Sequence, residues 1–160
     1  MYKRQGEKDY ELTLSEYETY SDIFPTRAGG VNAWIAVMRG CDNFCTFCVV
    51  PYTRGRERSR EPQNVVEEVK RLVDEGFKQV TLLGQNVNSY KSGKYDFADL
   101  MEMVSKVDGL KRIRFTSPHP KDFPEKLIEV VANNPKACKH IHLPLQAANN
   151  RILELMNRTY

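Results

Sequence analysis

Three of the four cysteines, Cys41, Cys45 and Cys48, stand in the spacing C-x3-C-x2-C. Thiolates that close in sequence can surround one metal centre, and chance or core packing seldom puts three at that spacing. Two chemistries fit. A structural zinc site wants four protein ligands, usually as paired C-x2-C units. A 4Fe–4S cluster held by three thiolates instead keeps one iron open, as a chelating cofactor would require. The fourth cysteine, Cys138, lies ninety residues beyond Cys48 and just before an apolar run. That places it at the amino-terminal end of a strand, away from the trio, where it reads as a small buried residue. Four cysteines are too few for a disulfide scaffold, and their clustering points to a metal site in a reducing cytoplasm.

Charge gives the second constellation. Between Arg54 and Arg60 the sequence reads R-G-R-E-R-S-R, and this segment alone holds the formal net charge of +3. Such a run is either a solvated loop or a phosphate-binding patch, since Arg forks match phosphate oxygens bidentately. An extended backbone would align Arg54, Arg56, Arg58 and Arg60 on one face through the two-residue period of a strand. His119 and His142 could move protons, but histidines beside strand ends are more simply hydrogen-bonded structural residues.

Strands and helices must alternate to position these groups. The apolar run Ala33–Met38 is followed by a loop, then by a helical stretch with Val65, Val69, Leu72 and Val73 on one face, Pro62 near its start and Gly76 at its stop. Val80–Leu83 leads to a helix from about Asp96 with Phe97, Leu100, Met101 and Val104 inward. Ile113–Thr116 leads to a third helix, which Asp122 and Glu125 are spaced to open as a capping box. Ile141–Leu145 precedes a last helix with Ile152, Leu153, Leu155 and Met156. Trp34, on the first strand, is expected in the core. Four strand–helix units in series predict an α/β fold with a parallel sheet, open or part of a barrel. Ligands of such folds bind at the carboxyl ends of the strands. The segments leaving those ends are Gly40–Cys48, Gly84–Asn88, Ser117–Pro120 and Gln146, which gathers most of the unusual polar residues on one rim.

Composition bounds the rest. The 160 residues are 41% hydrophobic and 28% charged, as in ordinary globular chains and unlike disordered or collagenous ones. No apolar run approaches the roughly 20 residues of a membrane span, and no apolar stretch of signal-peptide type follows Met1. Residues 1–30 carry four of the eight tyrosines, few aliphatics and the pair Gly29-Gly30, so they read as a linker.

The cysteine loop resembles that of the radical S-adenosylmethionine (SAM) superfamily, whose signature is C-x3-C-x-aromatic-C after the first barrel strand; Phe47 takes the aromatic place. The stretch from Gly40 to Arg60 is similar to the cluster loop of the methylthiotransferases. Leu82–Tyr90 and His140–Gln146 resemble the tRNA-modifying members of that family. The resemblance runs from about Ala33 to Tyr160. It implies the first four units of a partial (β/α)6 barrel, with Cys41, Cys45 and Cys48 holding a 4Fe–4S cluster whose open iron binds SAM. Phe47 would pack near the adenine, and Gly84, Gln85, Asn86, Ser117 and Gln146 would line the cofactor. Arg54, Arg56, Arg58 and Arg60 would then face RNA on the active-site rim, unless one pairs with Glu57, Glu61 or a pocket carboxylate.

The implied activity is radical-SAM 2-methylthiolation of isopentenyl-adenosine next to the anticodon of tRNA. A relative acting on a ribosomal-protein side chain, or a non-catalytic zinc-binding RNA module, is the alternative. The resemblance further implies an electron donor such as flavodoxin, a monomeric full-length enzyme in the cytoplasm and no membrane. A second 4Fe–4S cluster would reside in an amino-terminal domain whose ligands are absent here. Residues 1–30 would thus be the linker from that missing domain and residues 31–160 a truncated radical-SAM core, unable by itself to complete sulfur insertion. Ala147-Ala148 stands where the family is expected to carry Ser-Gly.

Overall fold

The structure, a computed structural model, describes residues 29–160. The linker expected over residues 1–30 lies outside the described residues except for Gly29 and Gly30. Three strands, β1 (Asn32–Ala36), β4 (Gln79–Leu83) and β7 (Arg112–Phe115), form a parallel sheet in the order β1-β4-β7. Helices α2 (Pro62–Asp74), α3 (Phe97–Ser105) and α4 (Glu125–Asn133) follow these strands in turn. The parallel α/β arrangement is as the alternation predicts, and it stays open in the described residues.

The strand register explains the core. Ala33 pairs with Val80 and Val80 with Ile113, and Ile35 with Leu82 and Leu82 with Phe115. All six are buried on one face, with the stripe Val65, Val69 and Leu72 of α2 and Leu100, Met101 and Val104 of α3. Phe97 meets Phe115 edge-on at 5.3 Å between centroids, the geometry aromatic quadrupoles prefer. The opposite face carries Asn32, Trp34, Thr81 and Arg114, and here Trp34 is 55% exposed. It is therefore not a core residue: the two-residue period sends it away from the helix layer that Ala33 and Ile35 face.

Two local departures from the sequence pattern shape the site. The first apolar run divides at Val37, whose N–H still reaches Leu83 O at 2.9 Å. Its continuation β2 (Met38–Arg39) turns to pair antiparallel with β3 (Arg58–Ser59), through Met38–Ser59 and Arg39–Arg58. Everything between Gly40 and Glu57, including the five-residue α1 (Val50–Arg54), is thus a loop closed at its base by a short ladder.

The second departure is at the fourth unit. Ile113 and Ala137 make an isolated parallel bridge, and Cys138 N–H reaches Ile113 O at 2.9 Å, but no strand follows. Residues 141–145 are largely exposed, Pro144 has no N–H to donate, and no described element covers Leu143 or Leu145. The chain resumes order in α5 (Asn150–Leu155), capped by Asn149. Cys138 itself sits beside the amino-terminal half of β7 and is half-buried.

The capping box lies elsewhere than predicted. Asp122 ends a 3-10 turn (Pro120–Asp122), and α4 starts after Pro124 without a side-chain cap. The reciprocal box is Asp96 with Asp99 at the start of α3. Among the described residues no helix is long and apolar enough to cross a membrane.

Candidate metal centre

Gly40 makes the cysteine loop possible. Its φ is +72°, and a Cβ there would lie 2.0 Å from Arg56 O, so the two ends of the loop can approach only without a side chain. Cys41 N–H then bonds Gly55 O at 3.2 Å. Asp42 fastens the returning limb, accepting from Arg56 Nε at 2.6 Å and Nη2 at 3.2 Å and from the Glu57 N–H at 3.1 Å. Arg56 also lies 5.5 Å over the Phe44 ring.

The loop is held from the far end of the chain as well. Thr46 donates its N–H to Met156 O and its hydroxyl to Leu155 O, at 3.2 and 3.0 Å. Asn157 Nδ2 donates to Asn43 O and Phe44 O at 3.3 and 3.0 Å. Arg158, only 8% exposed, directs Nη1 to Cys45 Sγ at 3.5 Å and Nε to the Tyr160 hydroxyl at 2.8 Å. No local sequence signal marks Arg158, which meets Cys45 across 113 residues. Asn157, with φ +55° just beyond α5, is a common helix-end residue and could have been noticed.

These contacts enclose a cavity of about 230 Å³. Cys41, Cys45 and Cys48 line it, with Phe47, Gln85, Ser117 and Gln146 from the predicted cofactor set. Asn43, His119, His142 and Arg158 complete much of the polar wall. Gly84 and Asn86 do not line it. Gly84 packs on Met38, where a Cβ would come 2.6 Å from Cγ, and buried Asn86 donates to Asp122 Oδ2 at 2.6 Å.

Backbone strain marks the same place. Among the described residues, the non-glycine residues with positive φ are Phe44, Ser117, Gln146 and Asn157. Two line the cavity, one is in the cysteine loop and one bonds that loop. At Gln146, φ is +67° and the Ala147 N–H reaches back to Leu145 O at 2.8 Å, a γ-turn of the strained hand. Such conformations persist where surrounding structure over-determines them, commonly at functional sites.

The thiols are all free. Burial pushes the Cys41 thiol up; the Asn43 backbone pulls it partly back, and charge on Glu57, Cys45 and Cys48 raises it again. A cationic centre would reverse that balance and hold the thiolates. Among the described residues no three His, Cys, Asp or Glu side chains converge on a single-ion position. Three thiols lining one cavity are the donor set of a 4Fe–4S cluster with one iron left open, whereas a structural zinc wants a fourth protein ligand and Cys138 lies away beside β7.

His119 is buried and neutral. Its pKa is lowered to about 4, first by burial and then by the Arg158 charge. Nδ1 accepts from the Lys121 N–H at 3.3 Å, which leaves the proton on Nε2, and that buried N–H has no partner among the described residues. The ring also packs edge-on to Tyr160 at 5.3 Å between centroids, which holds it in the cavity lining.

The four arginines of the run do not share one face. Arg54 ends α1 and is exposed, Arg56 is exposed but engaged by Asp42, and Arg58 lies half-buried in β3. Arg60 is 3% exposed and donates Nη1 to Glu68 Oε2 and to Ala36 O, each at 2.8 Å. Its predicted place on an RNA-facing rim is therefore corrected: it is an internal strut under the loop. The run is not extended throughout, because α1 takes its first member and the β2–β3 ladder its third.

Known proteins share the sequence pattern and fold of this chain. Residues 35–160 match the family model described as the Radical SAM superfamily. A tRNA-2-methylthio-N(6)-dimethylallyladenosine synthase of Desulforamulus reducens is 49% identical over 98% of the chain and 36% of its own length. Synthases of the same name from Prosthecochloris aestuarii and Bacteroides thetaiotaomicron are 54% and 51% identical over 96% and 97% of the chain. The chain spans about a third of the length of these curated relatives. A radical S-adenosylmethionine methyltransferase of Kitasatospora setae, solved with cobalamin and a [4Fe-4S] cluster, superposes with a TM-score of 0.65 at 20% identity, covering 82% of this chain and 26% of that one. A strand-end loop with the C-x3-C-x2-C trio, a cavity at the carboxyl rim of a parallel sheet and a match over residues 35–160 together lead to one statement: the chain belongs to the radical SAM superfamily.

Proposed function

We propose that the chain carries the radical-SAM portion of a tRNA methylthiotransferase that modifies C2 of isopentenyl-adenosine beside the anticodon. The observation that carries this reading is the identity of about half of all positions to three synthases of that name, over nearly the whole chain. We further infer a cytoplasmic enzyme, monomeric when full-length, that draws electrons from a flavodoxin-type donor.

Cys41, Cys45 and Cys48 would hold a 4Fe–4S cluster, which when bound supplies the electron that cleaves SAM to a 5′-deoxyadenosyl radical. The protein's own residues prepare that chemistry. Arg158 places a cation and an N–H at Cys45 Sγ, and hydrogen bonds to ligating sulfur are among the means by which proteins set cluster potentials. Phe47, 58% exposed on the cavity wall, offers a ring face to a purine. Gln85, Ser117 and Gln146 offer amide and hydroxyl groups to a polar cofactor, two of them from strained backbone that fixes their direction. Neutral His119 lines the cavity without adding charge to it. Arg54 stands exposed at the rim as a contact for RNA.

Mass spectrometry of total tRNA from a strain lacking the gene tests the reading. Loss of 2-methylthio-isopentenyl-adenosine, restored by wild-type protein and not by Cys45→Ala, is expected; unchanged nucleoside content would overturn it. Purified Cys45→Ala protein should also lose the visible sulfur-to-iron charge-transfer absorbance, and iron should exceed zinc in the wild type.

A further inference from the structure

A second concavity, of about 600 Å³, is lined by segments that follow β4 and β7, as part of the cysteine cavity is. One side is the hairpin β5 (Lys91–Ser92) and β6 (Tyr95–Asp96), and the other is the 3-10 turn Pro120–Asp122. The two sides are tied together by a buried amide. Asn88 Nδ2 donates to His119 O at 2.9 Å and Asp122 O at 2.5 Å, and its Oδ1 accepts the His119 N–H at 2.7 Å. The groove is therefore a fixed feature, and the segment that forms one side of it continues from the lining of the cysteine cavity. His119 lines the cavity, and Lys121, two residues on, lines the groove.

Its charge is uneven in a telling way. Lys91, Lys94 and Lys121 line it and are exposed, with no ion pair to any of them among the described residues. Lys94 rests over the Tyr95 ring at 5.3 Å. The two carboxylates of the groove are already engaged. Asp96 caps α3 and takes Lys126 Nζ at 2.8 Å, and Asp122 accepts from Asn86. Asp96 is thus spent on Lys126, outside the groove, and Asp122 turns to the Asn86 amide, so three exposed lysines face solvent against the two carboxylates.

Resting on the tRNA reading above, we propose that this groove binds the sugar–phosphate backbone of an RNA strand through Lys91, Lys94 and Lys121. Ammonium groups act as point charges on phosphate and lack the planar fork that reads base edges, so the contact positions the strand without specifying sequence. A strand seated there lies against Lys121, two residues along the chain from His119 of the cysteine cavity. The groove would thereby hold the strand from which a base is presented.

The test measures the affinity of the full-length protein for a fluorescein-labelled RNA stem-loop across a salt series. The triple Lys91→Gln, Lys94→Gln, Lys121→Gln variant should bind about ten- to a hundredfold more weakly at moderate salt, with a log K against log salt slope smaller by about 2. The corresponding triple arginine variant should restore binding, and Lys70→Gln, exposed on α2 away from the groove, should match wild type. A thermal midpoint and iron content equal to wild type would show that the glutamine variant is folded. Wild-type affinity in that variant overturns the proposal, as does absence of RNA binding by the wild-type protein. So does lysine-dependent capture of an acidic polypeptide in place of RNA. If methylthio-nucleoside is made in cells but the lysines do not matter, the groove falls and the tRNA reading stands. If RNA binding depends on the lysines but that nucleoside is unaffected by deletion, the groove stands and the reaction is a different one.

Discussion

Arg54, Arg56, Arg58 and Arg60 lie within seven consecutive residues, whereas Lys91, Lys94 and Lys121 are spread over thirty-one. Read along the chain, the first set is the cationic patch and the second is unremarked background. In the fold the order reverses. Arg60 is consumed by Glu68 and Ala36 O, Arg56 by Asp42, and Arg58 is drawn into a two-residue strand where its Nη2 reaches Arg54 O. The lysines converge on one groove whose acids are committed elsewhere. Charge density in sequence therefore measures opportunity for internal pairing as much as affinity for a polyanion. Guanidinium, weakly hydrated and many-handed, is the cation that tolerates burial.

The sharpest way to break this comparison is at Arg60. Arg60→Met leaves the Glu68 carboxylate buried beside a methionine, and should cost about 3–5 kcal/mol in urea unfolding. Much of that should return in the Arg60→Met, Glu68→Leu double variant. A stable single variant that had lost RNA affinity would restore Arg60 to the interface.

Acid should separate the two regions next. The His119 pKa is lowered to about 4 from 6.5, so the unfolded chain binds a proton that the folded one refuses. The stability that neutral His119 contributes is fully present above about pH 6.5 and is lost as pH falls through 4, up to about 3 kcal/mol. Protonation also removes the Nδ1 acceptor of the Lys121 N–H, so the lysine groove should loosen before the arginine run does. A urea titration at successive pH values checks the slope, which His119→Gln should flatten.

A smaller effect is expected at the clasp. Asn157→Ala deletes two hydrogen bonds to the cysteine loop and forces alanine into a φ of +55°, a loss of about 1–2 kcal/mol. Asn157→Gly relieves only the backbone part. Iron retained under chelator challenge should fall in both, more in the alanine variant.

The smallest change is predicted at Arg56. Asp42 is held below the usual carboxylate range chiefly by its hydrogen bond to Arg56, yet the pair is exposed. Arg56→Gln should leave the unfolding midpoint at neutral pH nearly unmoved, and should reduce RNA affinity less than any two of the groove lysines together.

Much of this architecture was legible beforehand. The cysteine spacing, the alternation of strands with helices and the convergence of polar residues on the carboxyl rim all come from periods and spacings, which sequence states directly. What escaped was decided by partners distant in the chain. Val37 looks like continuous strand, but its N–H and C=O serve Leu83 and Arg60, and the next residues turn to β3. Asp122 has the spacing of a cap and instead receives Asn86. Ile141–Leu145 has strand composition, but no ladder forms along it and Pro144 withholds a donor. Phe44, Ser117 and Gln146 have no residue-type bias toward positive φ, so nothing local announced the strain at the cavity.

The clasp between the cysteine loop and the segment Leu155–Tyr160 also has a kinetic meaning. Its hydrogen bonds bridge 109 to 114 residues, among the longest closures in the described fold. Contacts of that range carry the largest loop-closure entropy and tend to form late. On the ribosome, Thr46 and Cys45 emerge long before Met156 and Arg158. The cysteine loop therefore gains its clasp only after residues 155–160 have been made, long after its own residues have left the ribosome.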